Sequence, residues 1–263
     1  MDKLLRISNI AALIITIVVN YLSNTGIFNG NTMSTVSARY QNLFTPAGYA
    51  FSIWGLIYLL LIGFAIYQAW GSSTLRGHTV AKRIGWWFVI SCAANSLWVL
   101  AWLYDYTGIS GLLMLVLLLS LIKIILRTEM EMHDVPFKTL ALVWWPFCIY
   151  SGWIAVALIA NIAAYLTKID WNRFGLTEVT WTVIMLCVAG LINLFITWNR
   201  NMREFALVGV WGLVAVAASN WDTQVVSIAA LSVSAIIFLS MVMHAYQNRK
   251  SIAHSLKLKH SGK

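Results

Sequence analysis

Long uninterrupted apolar stretches constrain this chain more than any other feature of its sequence. Residues 109–126 include one charged side chain, Lys123, and residues 46–70 and 223–246 include no Asp, Glu, Lys or Arg. Runs of about 17–25 apolar residues can cross a bilayer as helices, which satisfy their backbone hydrogen bonds internally. Because 60% of the residues are hydrophobic and only 10% charged, a soluble domain could not bury the apolar surface. The sequence therefore predicts an all-α, polytopic transmembrane bundle.

Charge decides how many of the apolar stretches cross the membrane. One of them, 205–219, is short for a span. With eight crossing helices and the N-terminus inside, 15 of the 18 Lys and Arg residues fall on the inner side and 3 on the outer side. Basic residues accumulate on the cytoplasmic side of membrane proteins. We therefore expect eight helices in a bacterial-type plasma (inner) membrane, with both termini cytoplasmic, at about 7–21, 46–70, 84–104, 109–126, 140–166, 177–198, 205–219 and 223–246.

The predicted helices group into segments. Residues 1–166 hold five helices, residues 167–248 hold three more, and residues 249–263 form a basic tail. The net charge of +9 does not indicate a nucleic-acid partner, because most basic residues lie in short connections that orient helices in the lipid bilayer. The cysteines at 92, 148 and 187 lie in apolar runs without paired spacing, so we predict small buried residues and neither a disulfide nor a metal site.

An aromatic spacing that occurs three times indicates where a site lies. In the stretch FTPAGYAFSIWGLIY (44–58), Thr45 can cap a helix, Pro46 suits its first position, and rings at i, i+3 and i+7 share one face. One such stripe most often reflects packing. The same spacing returns on two further apolar helices, which favours a shared cavity. The three stripes are Phe51, Trp54 and Tyr58; Asn95, Trp98 and Trp102; and Tyr150, Trp153, Ala157 and Asn161.

The membrane segments contain few groups that could do chemistry. All nine acidic residues fall in loops or at helix ends, so a proton pump or an ion-coupled carrier is disfavoured. The run 223–246 has no Lys for a retinal Schiff base, and no nucleophile triad, HExxH or phosphate loop occurs. We predict no catalytic residue, and whether the chain is an enzyme stays open.

Amide and indole groups remain as the polar content of the core. Asn95 and Asn161 must hydrogen-bond across helices or to a ligand, and residue type alone leaves both roles open. Trp rings lining an apolar cavity suit a flat hydrophobic ligand. The polar connection 22–43 is either an unstructured tether or a lid over the cavity mouth, and Pro146 is expected to kink the fifth helix or loosen its first turns.

These motifs resemble those of the TspO/translocator protein family, the tryptophan-rich sensory proteins. The stretch 44–58 is similar to its Pro-Pro-Gly-Trp signature followed by Phe, Trp and Tyr, with Ala47 in place of the second Pro and Tyr49 in place of the Trp. Asn95-Ser-Leu-Trp98 is similar to the family's Leu-Asn-x-x-Trp, and Trp153, Ala157 and Asn161 are similar to its Trp-x-x-x-Ala-x-x-x-Asn. The resemblance covers about residues 1–166, the usual five helices.

The resemblance implies an intramembrane pocket roofed by the first loop. Family members bind porphyrins, haem and sterol-like or synthetic aromatic ligands, some bacterial members are reported to break down protoporphyrin in light, and many are described as dimers. No other cofactor is implied, and the three added helices leave a homodimer open. Carried over by motif, the ligand-binding residues are Phe51, Trp54, Asn95, Trp98, Trp153, Ala157 and Asn161, with Tyr49 and Tyr58 as weaker candidates.

Three functions remain open at the level of sequence. The first is a receptor or sensor that binds a porphyrin or another tetrapyrrole, with or without light-dependent degradation. The second is a transporter of such a ligand, in which the added helices supply a gate or path. The third is a structural membrane protein whose added helices form an interaction surface.

Overall fold

The described part of the chain is almost entirely helical. The computed structural model describes residues 2–70, 74–75 and 78–261, with side chains described for these residues except 74 and 248–261. Arg76 and residues 262–263, which the charge count placed on the inner side, lie outside the described residues, as do the side chains of the basic tail 249–261. The predicted all-α bundle is confirmed, with one short hairpin, β1 (Thr74–Leu75) and β2 (His78–Thr79), as the sheet structure among the described residues.

The helices follow one another with short connections. In chain order they are α1 (Asp2–Leu22), α2 (Met33–Arg39), α3 (Ile53–Ala69), α4 (Val80–Ile84), α5 (Trp87–Leu103), α6 (Thr107–Thr128), α7 (Phe137–Thr139), α8 (Trp145–Lys168), α9 (Glu178–Arg200), α10 (Arg203–Ser219) and α11 (Gln224–Ser261).

Six of these segments are long and apolar enough to cross a membrane. They are 2–22, 48–69, 107–128, 137–168, 178–200 and 224–247. Helices α5 and α10 have 17 residues each, at the lower limit for a span. The chain is therefore an integral membrane helical bundle, and the count of eight crossings stays a prediction.

The connection 23–47, which we call the roof, contains α2 and is therefore more than an unstructured tether. Thr32 caps α2 by accepting a hydrogen bond from the Thr35 amide, and Thr35 bonds back to the Thr32 amide. We call this end of the bundle, together with residues 104–106, 169–177 and 220–223, the roof end, and the opposite end the base end. The roof thus has its own folded element above the helices.

The start of α3 differs from the prediction. Thr45 does not cap the helix; its hydroxyl accepts a hydrogen bond from the backbone N–H of Asn42 in a turn of the roof. The chain then enters a 3-10 turn, Gly48–Ser52, and α3 begins at Ile53. Pro46 consequently lies in the roof and not at the first helical position.

Pro146 loosens the start of α8, as predicted. It lies at the second residue of α8, and the preceding residues Leu140–Trp144 form a π turn. Because proline has no backbone N–H, the α-helical bond to Leu142 cannot form, and a wider turn accommodates the gap.

Of the three C-terminal helices, α10 packs on α8 through small residues. Helix α10 contacts α8, α9 and α11. A methyl group at Gly152 would lie 2.9 Å from the carbonyl oxygen of Phe205, and one at Gly212 would lie 2.8 Å from a methyl of Val156. Side chains at these positions would keep α8 and α10 apart. The seam between the two helices therefore depends on glycine.

Candidate ligand cavity

A two-part cavity lies beneath the roof. The outer compartment has a volume of about 630 Å³ and is walled by the end of α1, the roof, α3 and α5. The inner compartment has a volume of about 50 Å³ and lies between the roof, α3, α5, α6 and α8. Both compartments are lined by Met33, Ser37, Thr45, Pro46, Phe51, Trp54 and Trp98. These shared walls make the two compartments neighbours, divided by aromatic rings.

The dividing rings pack against one another in a defined arrangement. The Trp54 ring stacks on Tyr58, with centroids 5.5 Å apart, and on Trp98 at 5.9 Å. Tyr150 meets Trp54 edge-on at 5.8 Å, and Phe51 meets Trp153 edge-on at 5.9 Å. Such contacts restrict each ring to one orientation. Trp54 is therefore held with its plane parallel to two neighbours between the compartments.

The structure brings together most of the residues that the motifs single out. Phe51, Trp54 and Trp98 line both compartments, Trp153, Ala157 and Asn161 line the inner one, and Tyr58 lines the outer one. Two predicted residues line neither compartment. Tyr49 is 45% exposed and packs edge-on against Trp211, and Asn95 is completely buried behind the wall.

Asn95 joins three helices by hydrogen bonds. Its amide nitrogen donates to the Tyr150 hydroxyl at 2.8 Å, and its amide oxygen accepts from Asn20 at 2.7 Å. Asn20 in turn lines the outer compartment. Of the two roles that sequence left open, the geometry of Asn95 corresponds to a link between α1, α5 and α8, and the link fixes Tyr150 against Trp54.

Several cavity side chains have a buried polar atom without a hydrogen-bond partner among the described residues. The indole nitrogens of Trp98 and Trp153 and the amide oxygen of Asn161 are of this kind in the inner compartment. The hydroxyl of Tyr58 is of this kind in the outer one. Asn161 uses only its amide nitrogen, which donates to Ser110 at 2.7 Å. Since buried polar groups are nearly always paired, these atoms are unusual features of the cavity wall.

The lining carries no formal charge. Among the residues that line the two compartments there is no Asp, Glu, Lys, Arg or His. The outer compartment nevertheless has hydroxyl and amide groups near the mouth, including those of Asn24, Ser34 and Gln41. The cavity is therefore apolar and aromatic in its depth and polar at its rim.

One side of the roof is held by Asp105, which follows α5. Asp105 forms an ion pair with Lys168 at 2.9 Å and accepts a hydrogen bond from the Tyr40 hydroxyl at 3.0 Å. Arg39 lies 4.0 Å from the same carboxylate. Partial burial raises the pKa of Asp105, but the bonds from Lys168 and Tyr40 and the nearby positive charges lower it by more, so the pKa lies below its usual value. The carboxylate is therefore charged at neutral pH and anchors the C-terminal end of α2 to the connection that follows α5.

The other side of the roof is held by α10, one of the three C-terminal helices. Asn220 donates to the Leu43 carbonyl at 2.9 Å, and the Ala47 amide donates to the Ala215 carbonyl at 2.9 Å. The Trp211 indole donates to the Ala50 carbonyl at 3.2 Å. Sequence reasoning missed these residues, because backbone acceptors and amides carry no periodic signal. A Trp in the middle of the apolar α10 was the available clue.

The fold and the cavity define the class of protein. The chain is a polytopic helical membrane protein with a roofed, aromatic, uncharged cavity at one end of its bundle. The family model described as "TSPO-like protein" matches residues 6–243. This chain therefore belongs to the TSPO-like protein family, and the match extends beyond the five motif-bearing helices through about half of α11. In comparisons with curated proteins and with solved structures, nothing matches the chain.

Proposed function

We propose that this chain is a membrane receptor or sensor that binds a planar hydrophobic molecule, most simply a porphyrin or related tetrapyrrole, in the roofed cavity. The observation that carries the proposal is the set of aromatic rings shared by the two compartments, whose walls also contain indole, phenol and amide groups with unpaired polar atoms. Flat rings bind by stacking, and the few polar groups orient them.

Volume and polarity together suggest how such a ligand would lie. Small-molecule pockets commonly measure about 300–1,000 Å³, so the outer compartment is large enough for the body of the ligand and the inner one is not. The ring plane would lie against Trp54 and Trp98, with an edge directed toward Trp153 and Asn161. Polar substituents would remain at the rim, where the roof supplies hydroxyl and amide groups.

The proposal is tested by titrating the purified protein with protoporphyrin IX and following the porphyrin absorption band. Trp54→Ala and Trp153→Ala are expected to weaken binding at least tenfold, about 1.4 kcal/mol, because each removes a ring from the wall. Trp70→Ala is the matched control, since Trp70 is 81% exposed at the end of α3 and lines neither compartment. Equal affinity in all variants would contradict the proposal.

The two asparagines of the motifs give a second, independent comparison. Asn161→Ala removes an amide from the inner compartment wall together with its hydrogen bond to Ser110, so it is expected to reduce porphyrin affinity a few-fold and to lower the melting temperature less than Asn95→Ala does. Asn95→Ala breaks the link between three helices and is expected to lower stability by about 1 kcal/mol. If Asn95→Ala reduced porphyrin affinity and Asn161→Ala did not, the ligand would approach from the α1 side.

Sensor, transporter and photochemical functions are separated by two further measurements. Flux of the porphyrin into proteoliposomes would indicate transport. Illumination of the loaded protein would reveal light-dependent degradation, which the family resemblance implies for some bacterial members. We propose binding without coupled transport, because the lining has no ionisable group to couple to an ion gradient.

We also propose that the roof end faces away from the cytoplasm and that both termini are cytoplasmic in a bacterial inner membrane. The distribution of Lys and Arg supports this orientation. Single cysteines introduced at Asn24 and at His78, in a chain without its three native cysteines, would test it. A membrane-impermeant maleimide should label the first position in intact cells and the second only after lysis.

A further inference from the structure

A cluster of metal-ligating side chains lies at the base end, away from the cavity. Glu131 comes from the connection after α6, Cys148 from the first turns of α8, and Glu204 from the first turn of α10. One ligand atom of each, two carboxylate oxygens and a sulfur, lie within 4.8 Å of one another. Two of the residues belong to the five-helix region and one to the added helices, so the cluster spans the junction between them.

The three ligand-bearing side chains have unused bonding capacity. Cys148 has no exposed surface, and no hydrogen bond to its sulfur is found among the described residues. One buried oxygen of Glu131 and one of Glu204 also have no hydrogen-bond partner there. A fully buried thiol beside two carboxylates, each with an unpaired buried oxygen, is costly to leave without a partner. A bound cation would supply that partner.

A hydrogen bond holds the segment that carries Glu131 in place, and the two glutamates are partly exposed. The carbonyl of Glu131 accepts a hydrogen bond from Asn201 at 3.0 Å, which ties the α6–α7 connection to the α9–α10 turn. Glu131 and Glu204 are partly exposed, whereas Cys148 lies behind them. A cation would therefore arrive from the aqueous base end, where the two glutamates are partly exposed.

Electrostatics at the cluster are consistent with such a role. Burial and the nearby Glu204 carboxylate raise the pKa of Glu131 to about 7, although Arg203 acts in the opposite direction. Arg200 also places a positive charge near Cys148. The arginines offset part of the negative charge, but none forms an ion pair with Glu131 or Glu204 within 4.0 Å among the described side chains. A divalent cation would neutralise both carboxylates directly.

We propose that Glu131, Cys148 and Glu204 form a binding site for a divalent transition-metal ion of the Zn²⁺ type. Thiolate and carboxylate are both ligands of Zn²⁺, and tetrahedral coordination at about 2.1–2.3 Å puts ligand atoms about 3.4–3.6 Å apart. Side-chain shifts of about 1 Å would bring the present atoms to those separations. The site would join the five-helix region to α10, so bound metal would stabilise the junction. Spacing in the sequence could not reveal it, because its ligands come from three distant segments.

The test uses Co²⁺ and Zn²⁺ with the full-length protein in detergent after removal of metal by a chelator. We expect one Co²⁺ per chain, a sulfur-to-cobalt charge-transfer absorption, and loss of that absorption when Zn²⁺ is added. Cys148→Ser should abolish the absorption and weaken Zn²⁺ binding at least tenfold. Glu131→Gln and Glu204→Gln should weaken binding while keeping the absorption. Cys187→Ser is the control, because Cys187 lies exposed on α9.

Three results would overturn the site: no stoichiometric metal in the wild type, an absorption that survives Cys148→Ser, or wild-type affinity in both glutamate variants. Melting temperatures measured without metal check that each variant is folded. Glu131→Gln lies in a connection at the bundle's end, so it keeps the test valid if Cys148→Ser fails to fold. A Zn²⁺-dependent rise in melting temperature in the wild type but not in Glu131→Gln is the further expected outcome.

Discussion

The five-helix region packs around large aromatic rings, whereas the three C-terminal helices pack closely through glycine. In the first region, large rings such as Trp54 and Trp98 meet at their faces and leave a cavity between them. In the second, glycines let backbones approach closely: a methyl at Gly190 would lie 2.7 Å from Val233, and one at Gly209 would overlap the Asn193 amide. Small residues at helix contacts are the usual means of tight packing in a membrane.

This difference assigns different roles to the two regions. Rigid aromatic rings hold a cavity open because they cannot collapse into it without breaking their mutual contacts. The C-terminal helices support one side of the roof through hydrogen bonds from α10. The binding region and its support are thus separate parts of one bundle.

Cysteine positions follow the same division. Cys92 and Cys148 are buried in the five-helix region, whereas Cys187 is exposed on α9. The sequence-based interpretation of all three as buried is therefore wrong for Cys187, whose helix presents that face to the surroundings of the bundle. An apolar run in a membrane protein does not distinguish the lipid-facing side of a helix from its packed side.

The largest expected effect comes from a side chain added at the seam. Gly152→Ala puts a methyl group 2.9 Å from the Phe205 carbonyl oxygen, so we expect a loss of about 1–3 kcal/mol of stability from overpacking. Gly55→Ala, on α3 beside the outer compartment, meets nothing within 4 Å and should cost nothing. Thermal unfolding in detergent measures both. Similar losses of stability for the two variants would mean that packing at the α8–α10 contact is no tighter than packing beside the outer compartment.

An intermediate effect is expected where α10 meets the 3-10 turn that follows the roof. Trp211→Phe keeps a ring against Tyr49 but removes the indole N–H that bonds the Ala50 carbonyl, at a cost of about 1 kcal/mol. Because Phe51 follows Ala50, we expect a few-fold weaker porphyrin affinity. Trp221→Phe, at an exposed tryptophan beyond α10, should leave affinity unchanged. Unaltered binding in Trp211→Phe would show that the position of Phe51 does not depend on this hydrogen bond from α10.

The smallest effect concerns the other side of the roof and depends on pH. The pKa of Asp105 is lowered in the fold, so its contribution to stability is present above the usual Asp pKa of about 3.9 and is lost as the pH falls through the lowered value. Asp105→Asn should therefore cost at most about 1 kcal/mol at pH 7 and nothing in strong acid.

Melting temperatures of the wild type and Asp105→Asn between pH 7 and pH 2 measure this difference. Asp170→Asn, at an exposed Asp in the next connection, is the matched control and should behave as the wild type does. A difference that stays constant over the whole pH range would show that the ion pair with Lys168 is not its source.

Part of the candidate site could be predicted from the sequence. The stripes at Trp54, Trp98 and Trp153 share the inner compartment because helical spacing puts each stripe on one face, and three such faces in an apolar bundle turn toward each other. Spacing could not separate Asn161, which faces the cavity, from Asn95, which lies behind its wall. Both are asparagines on the same kind of stripe, and the rotation of each helix about its axis decides which one is exposed to the space.

Length and apolarity of its segments, together with the aromatic spacing, determined by themselves that this chain is a membrane helical bundle with rings gathered on three helices. Only the tertiary structure decided that the added helices support the roof and that Glu131, Cys148 and Glu204 meet at the base end. Those contacts join residues far apart in the chain, many through backbone groups that every residue possesses. Local patterns encode which face of a helix is polar or aromatic, whereas the partner of that face depends on how all the helices pack together.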